Sequence, residues 1–132
     1  MKNTAFTLIE MLIVVILIGI FAGIAVPRFA GFQNEAQIAA EEASVHSIRS
    51  AIKLYSIDSA LKSRKPFYPA VLDSAGAGNA TPENSLFGII LQNPISDHRW
   101  RKESDTLYKG PAGNSYTYDP AAGTFNLTGS PP

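Results

Sequence analysis

Residues 6 to 26 form an almost unbroken apolar run that begins Phe6-Thr7-Leu8-Ile9-Glu10-Met11 and carries a single carboxylate, Glu10, near its start. As a helix rising about 1.5 Å per residue, this run is about 31 Å long, enough to cross the hydrocarbon core of a bilayer. A carboxylate at the centre of such a span costs roughly 2.5 to 3.5 kcal/mol on insertion scales, and less near an interface. A charge kept there therefore implies a partner for it.

Two ordinary readings leave Glu10 unexplained. A cleaved secretory signal would use Lys2 as its charged region and Gly23-Ile24-Ala25 as a small-x-small cleavage site. Its apolar part, however, would exceed the usual ~7 to 15 residues and would contain an acid. A plain single-span anchor for an extramembrane domain fits the length. The flanks, Lys2 before and Arg28 after, set no orientation on their own.

The stretch Phe6-Thr7-Leu8-Ile9-Glu10, followed by the apolar run and Pro27, resembles the N-terminus of the prepilin family. That family comprises type IV pilins and the pseudopilins of type II secretion. The resemblance implies that a prepilin peptidase cuts between Ala5 and Phe6 and methylates the new amine, removing residues 1–5 as a leader. It further implies that Glu10 neutralises the Phe6 amine of a neighbouring subunit in a helical filament of this chain and related pilins, built at an inner-membrane assembly platform. The family's residue before the cut is usually Gly; here it is Ala5, and both are small. Physical chemistry supports the pairing, because a carboxylate and an ammonium that are each costly in an apolar medium lower that cost by meeting. Such a pair sets register.

Beyond Pro27 the chain passes through Phe29-Ala30-Gly31-Phe32 into good helix formers at Glu35 to Ser44. Val45, Ile48, Ile52 and Tyr55 then recur at helical spacing, with Glu41, Glu42, Arg49 and Lys53 assigned largely off that stripe. One helix from about residue 6 to about residue 58 follows. A bend or local melting is expected at Pro27, with Gly19 and Gly23 weakening the same region. Those two glycines also form a GxxxG match for close helix packing.

The segment Lys62 to Pro66 breaks the helical pattern, and Ser74 to Asn84, rich in Gly, Ala, Asn and Pro, reads as a surface loop. Ser85 to Leu91 is a short apolar run, read as a helical turn in preference to a strand. Leu107–Lys109, Tyr116–Tyr118 and Thr124–Leu127, separated by Gly-containing turns, read as a three-stranded antiparallel meander. Its Tyr116/Tyr118 and Phe125/Leu127 faces are expected to cover the helical stripe. The fold class is thus α+β and ladle-shaped: a long helical handle on a small antiparallel sheet, with residues 6–27 in the membrane or filament core and 28–132 in the head. The prepilin fold has this shape.

With 132 residues and no cysteine, the head is one small domain without disulfide staples. Eleven basic and eleven acidic residues cancel, so no global field draws the chain to nucleic acid. Two basic clusters contain rings, Lys62/Arg64/Lys65 with Phe67/Tyr68 and Arg99/Arg101/Lys102 with Trp100, a combination that can stack single-stranded bases. Helix-end cations and a ring covering the core explain them more simply.

No catalytic constellation is present: His46 and His98 are far apart in sequence, and neither a metal-spaced His pair nor a phosphate loop occurs. No cofactor is required. The major pseudopilins bind calcium in a C-terminal loop, which makes Asp97, Asp105 and Asp119 the candidate ligands here. Loose similarity to the major pseudopilin extends to Ala51-Ile52-Lys53-Leu54-Tyr55, Asp58 and Tyr116 to Pro120. Pilus and pseudopilus both remain open, as does a membrane-anchored binding domain that never polymerises.

Overall fold

The computed structural model describes residues 5–131; residues 1–4 of the expected leader lie outside them. The chain divides into two compact units, Met1–Ala36 and Gln37–Pro132. A single helix, α1, runs through both as Leu8–Ser63.

In the first unit α1 consists of the apolar run and its continuation, and its side chains are exposed almost throughout. Among the described residues, α1 is the one helix long and apolar enough to cross a membrane. Pro27 lies inside the helix, which is not interrupted there. The expected melting does not occur, because a proline removes one donor while the turns on either side keep theirs.

The helix ends five residues later than its periodicity predicts. Ser63 is its last residue and Arg64 follows with φ 58°, the left-handed conformation of a helix C-cap, its N–H bonded to the Ala60 carbonyl at 2.9 Å. Ser59 then holds the chain as it leaves: its Oγ accepts from the Phe67 N–H at 2.9 Å and donates to the Ser56 carbonyl at 2.7 Å.

The second unit carries a five-stranded antiparallel sheet in sequential order: β1 (Gly78–Asn79), β2 (Arg101–Lys102), β3 (Leu107–Lys109), β4 (Ser115–Asp119) and β5 (Thr124–Gly129). The last three are the meander read from alternation. The first two are an addition, and β1 lies in the stretch expected to be a surface loop. Register sets Tyr108 opposite Tyr116 and Tyr118 opposite Phe125, so the rings gather on one face. A bulge at Ser115/Tyr116 offsets the end of β5. Leu127 shares the face of Phe125 but is 53% exposed, so only Phe125 of that expected pair enters the core.

Val45, Ile48 and Ile52 of α1 pack in one buried cluster with Leu72, Leu86, Phe87, Trp100, Tyr108, Tyr116, Tyr118 and Phe125. Phe87 sits among three rings, with centroids 4.7 Å from Tyr108, 5.7 Å from Trp100 and 5.9 Å from Phe125. Residues 87–91 form a turn with an Ile90 and a Leu91 N–H on the Phe87 carbonyl, while Leu86 bridges Ile95, so the short apolar run is a bridge followed by a helical turn. Tyr55, the last stripe residue, is half-buried and meets Phe67 edge to face at 6.0 Å.

Candidate functional site

Ala5 and Phe6 precede the first helical residue and are exposed. Thr7 is the N-cap. Its Oγ accepts the Glu10 N–H at 3.3 Å, while Glu10 Oε2 accepts both the Thr7 N–H and the Thr7 hydroxyl at 2.8 Å. This is a reciprocal capping box, which satisfies otherwise unpaired donors at the helix start. It also fixes the Glu10 carboxylate four residues along the chain from Phe6, at the positive end of the helix dipole. The Phe6–Glu10 motif is therefore a built helix terminus as well as a string of residue types, a second use of Thr7 and Glu10 that the sequence reading did not draw out.

Gly19 and Gly23 have no atom within 4 Å of where a Cβ would stand. Among the described residues, nothing beyond their own stretch of helix occupies the surface they open. Further along α1, Leu54, Ile57 and Leu61 are exposed at spacings of three and four. They lie on the side of the helix away from Val45, Ile48 and Ile52, so α1 presents a second apolar face in the head unit.

The remaining sequence candidates are dispersed. Asp97 pairs with Arg99 at 2.7 Å, Asp105 reaches Lys102 at 3.1 Å, and Asp119 accepts from the Ala121 and Ala122 N–H groups of its turn. His46 is exposed, and His98 occupies a left-handed position in the 97–99 bend. Of the first basic cluster, Lys62 pairs with Asp58 at 2.7 Å on the helix surface. Of the second, Trp100 and Lys102 are buried. The ring and one cation of that cluster thus belong to the interior, not to a binding surface.

Two buried charged anchors escaped the sequence reading. Glu41, assigned largely off the apolar stripe, is 1% exposed. Its carboxylate accepts from the Tyr116 hydroxyl at 2.6 Å, from Asn114 Nδ2 at 2.7 Å and from the Ala112 N–H. Position 41 stands four residues before Val45 and so continues the stripe by one turn; the spacing carried this signal, while the charge argued against it. Gly110 lies so close that a Cβ there would fall 2.5 Å from the Glu41 carboxyl.

The second anchor is Asp73 with Lys102, whose side chains are 0% and 2% exposed and 2.8 Å apart. Asp73 also accepts from the Tyr108 hydroxyl at 3.0 Å and from the Phe87 N–H at 3.1 Å, which secures the left-handed backbone of Phe87 at φ 62°. Burial pulls the Lys102 ammonium down, but its bonds to Asp73 and Asp105 outweigh that and hold its pKa above the usual lysine value. Burial, reinforced by the neighbouring carboxylates, pushes the phenols of Tyr108 and Tyr116 well above their ordinary range, and burial takes Tyr118 up to about 12.

Residues 1–26 match the prokaryotic N-terminal methylation motif. Along the greater part of its length the chain is similar to two curated proteins named type II secretion system core protein G. It is 27% identical to that of Pseudomonas aeruginosa over 119 residues, covering 89% of this chain and 73% of the relative. It is 26% identical to that of Vibrio cholerae over 120 residues, covering 89% and 70%. The chain thus carries a prepilin-type N-terminal motif and is similar along most of its length to pseudopilins. Over 57 residues it is 40% identical to the type IV narrow pilus major component PilA5 of Thermus thermophilus, covering 43% of this chain and 49% of that one. No solved structure gives a significant match.

Proposed function

We propose that this chain is a structural subunit of a type II secretion pseudopilus or a closely related type IV pilus-like filament. A peptidase cuts the inserted precursor between Ala5 and Phe6, and the mature subunits polymerise through α1. The observation that carries this reading is the Thr7–Glu10 capping box at the head of an exposed apolar helix. It presents one acceptor carboxylate next to the site where cleavage would create an amine, on a surface with no partner in the single chain. Leaving the bilayer exchanges lipid contacts for helix packing. Gly19 and Gly23 permit close approach, and Leu54, Ile57 and Leu61 extend the apolar contact beyond the membrane.

The pseudopilus is favoured over the pilus because the core protein G relatives align along 89% of this chain, whereas the pilin match is confined to 43%. Localisation follows the assembly state, in the inner membrane before extraction and outside it afterwards, on a platform whose motor lies in other proteins. The work of such a subunit is done by assembly.

Mass spectrometry of the mature N-terminus tests the reading. A chain beginning at a methylated Phe6 is expected. A mature protein that retains Met1 would instead identify a single-span anchor for a non-polymerising domain. Loss of secretion without loss of twitching motility in a deletion strain is the outcome expected for a pseudopilus.

A further inference from the structure

Likeness to the major pseudopilins brings with it the expectation of a calcium ion in a C-terminal loop, and the carboxylates of this head do not fit one. Asp97 is closed on Arg99, Asp119 is spent on its own turn, and Asp105 points at an ammonium. Among the described residues, no three His, Cys, Asp or Glu side chains are placed to share a metal. Calcium takes six to eight oxygens at 2.3–2.6 Å. The place where oxygens do converge is already filled by a side chain.

We propose that Lys102 is the resident cation of this head: its ammonium fills a cage formed by Asp73, the Ala75 carbonyl and Asp105, so that the head folds without calcium. The three oxygens lie at 2.8, 2.8 and 3.1 Å from Nζ. Those are ammonium distances, and they match the three N–H donors of a lysine one for one. The inner carboxylate, Asp73, is fully buried, while the outer one, Asp105, is 78% exposed, so the cation sits at the mouth of the core with one anion on each side.

The remaining capacity of Asp73 is taken up by the Tyr108 hydroxyl and the Phe87 and Ala75 N–H groups, which leaves no lone pair aimed at a further ion. The mechanical consequence is the one a loop metal would have. Lys102 ties the segment at residues 73–75 to β2 and to the β2–β3 turn, and through Asp73 it holds Phe87 at the centre of the ring cluster. This role is independent of whether the chain builds a pilus or a pseudopilus.

The test is thermal unfolding of the full chain in detergent micelles, followed by the fluorescence of Trp100, the sole tryptophan. Melts are compared in about 5 mM calcium and in excess chelator. A resident calcium with a dissociation constant of about 10⁻⁴ to 10⁻³ M would change the folding equilibrium about 6- to 50-fold between the two. The wild-type chain is expected to change less than about twofold on that scale, and a sixfold or larger response would overturn the proposal. Lys102→Ala strands Asp73 and is expected to lower the folding constant roughly 150- to 5,000-fold. A variant within about tenfold of wild type would also overturn the proposal. If Lys102→Ala does not fold, Asp105→Asn carries the second arm. It leaves the Asp73–Lys102 pair closed and is expected to unfold at the same temperature with calcium as with chelator, whereas a calcium response in wild type that this variant abolishes would place a metal at Asp105.

Discussion

Replacing Glu41 by Ala tests whether a buried charge on α1 holds the sheet to the helix. The carboxylate accepts three hydrogen bonds, one from the buried Tyr116 hydroxyl and two from the part-buried Ala112 N–H and Asn114 amide. Truncation strands all three donors. A buried group left unpaired costs about 1 to 3 kcal/mol, and the two part-buried donors recover some of that from water, so a loss of about 3 kcal/mol is expected in total. For a unit of the size of Gln37–Pro132, each kcal/mol lowers Tm by about 4 to 8 °C, which gives a fall of about 12 to 24 °C. Glu41→Gln separates the acceptor role from charge. It can keep Oε1 for Tyr116 and Asn114 while turning its amide toward the Ala112 N–H, so about half the loss is expected. The assay is near-UV circular dichroism of the full chain in detergent, which reads the packed rings of the head. A Glu41→Ala chain melting within about 3 °C of wild type would refute the reasoning.

Three further outcomes are expected. Gly123→Ala places a Cβ against the Tyr68 ring at a backbone φ of 65°; combined left-handed strain and displacement of that ring should cost at least about 1 to 2 kcal/mol, measured by the same melts. Alkali should unfold the head cooperatively. The folded pKa values of Tyr108, Tyr116 and Tyr118 all lie above the unfolded value near 10, so the stability tied to their protonation is complete below about pH 10 and declines as pH rises toward and beyond about 12. Three such groups give a slope of up to about 4 kcal/mol per pH unit, and tyrosinate absorbance should rise together with loss of near-UV signal; ionisation of these three rings with the ring signal intact would contradict their burial. Thr7→Val removes the N-cap hydroxyl at nearly constant shape; a loss of about 1 kcal/mol should make the first-turn amides of α1 exchange about fivefold faster in micelles.

What could be read in the sequence, and what could not, divides by the range of the interactions. The Phe6–Glu10 motif was legible because it is contiguous, and the Thr7–Glu10 box within it, though it spans only three residues, was not drawn out because Glu10 was read solely for its charge. The meander was legible because Tyr116/Tyr118 alternate and Gly113 and Gly123, both at positive φ, sit in the turns between the strands. Strands β1 and β2 are two residues each, Gly-Asn and Arg-Lys, with no apolar alternation, and they exist only because Asn79 pairs with Arg101 and Lys102 with Tyr108. The buried charges failed for a related reason. Glu41 finds its donors 71 to 75 residues away and Lys102 finds Asp73 29 residues away, so each reads locally as a solvated side chain. Trp100 was read as a cover for the core, and it is buried there.

The pairing of Glu10 with a neighbour's Phe6 amine is tested most directly by the amount of Glu10→Ala subunit in filaments sheared from cells, normalised to its level in the membrane. Without the carboxylate, the docking amine is left unpaired in an apolar core, and removing one partner of such a pair costs about 3 to 5 kcal/mol. Incorporation should therefore fall by at least about 100-fold while the membrane pool remains. A Glu10→Ala chain recovered in sheared filaments at the wild-type ratio would contradict assembly through this carboxylate.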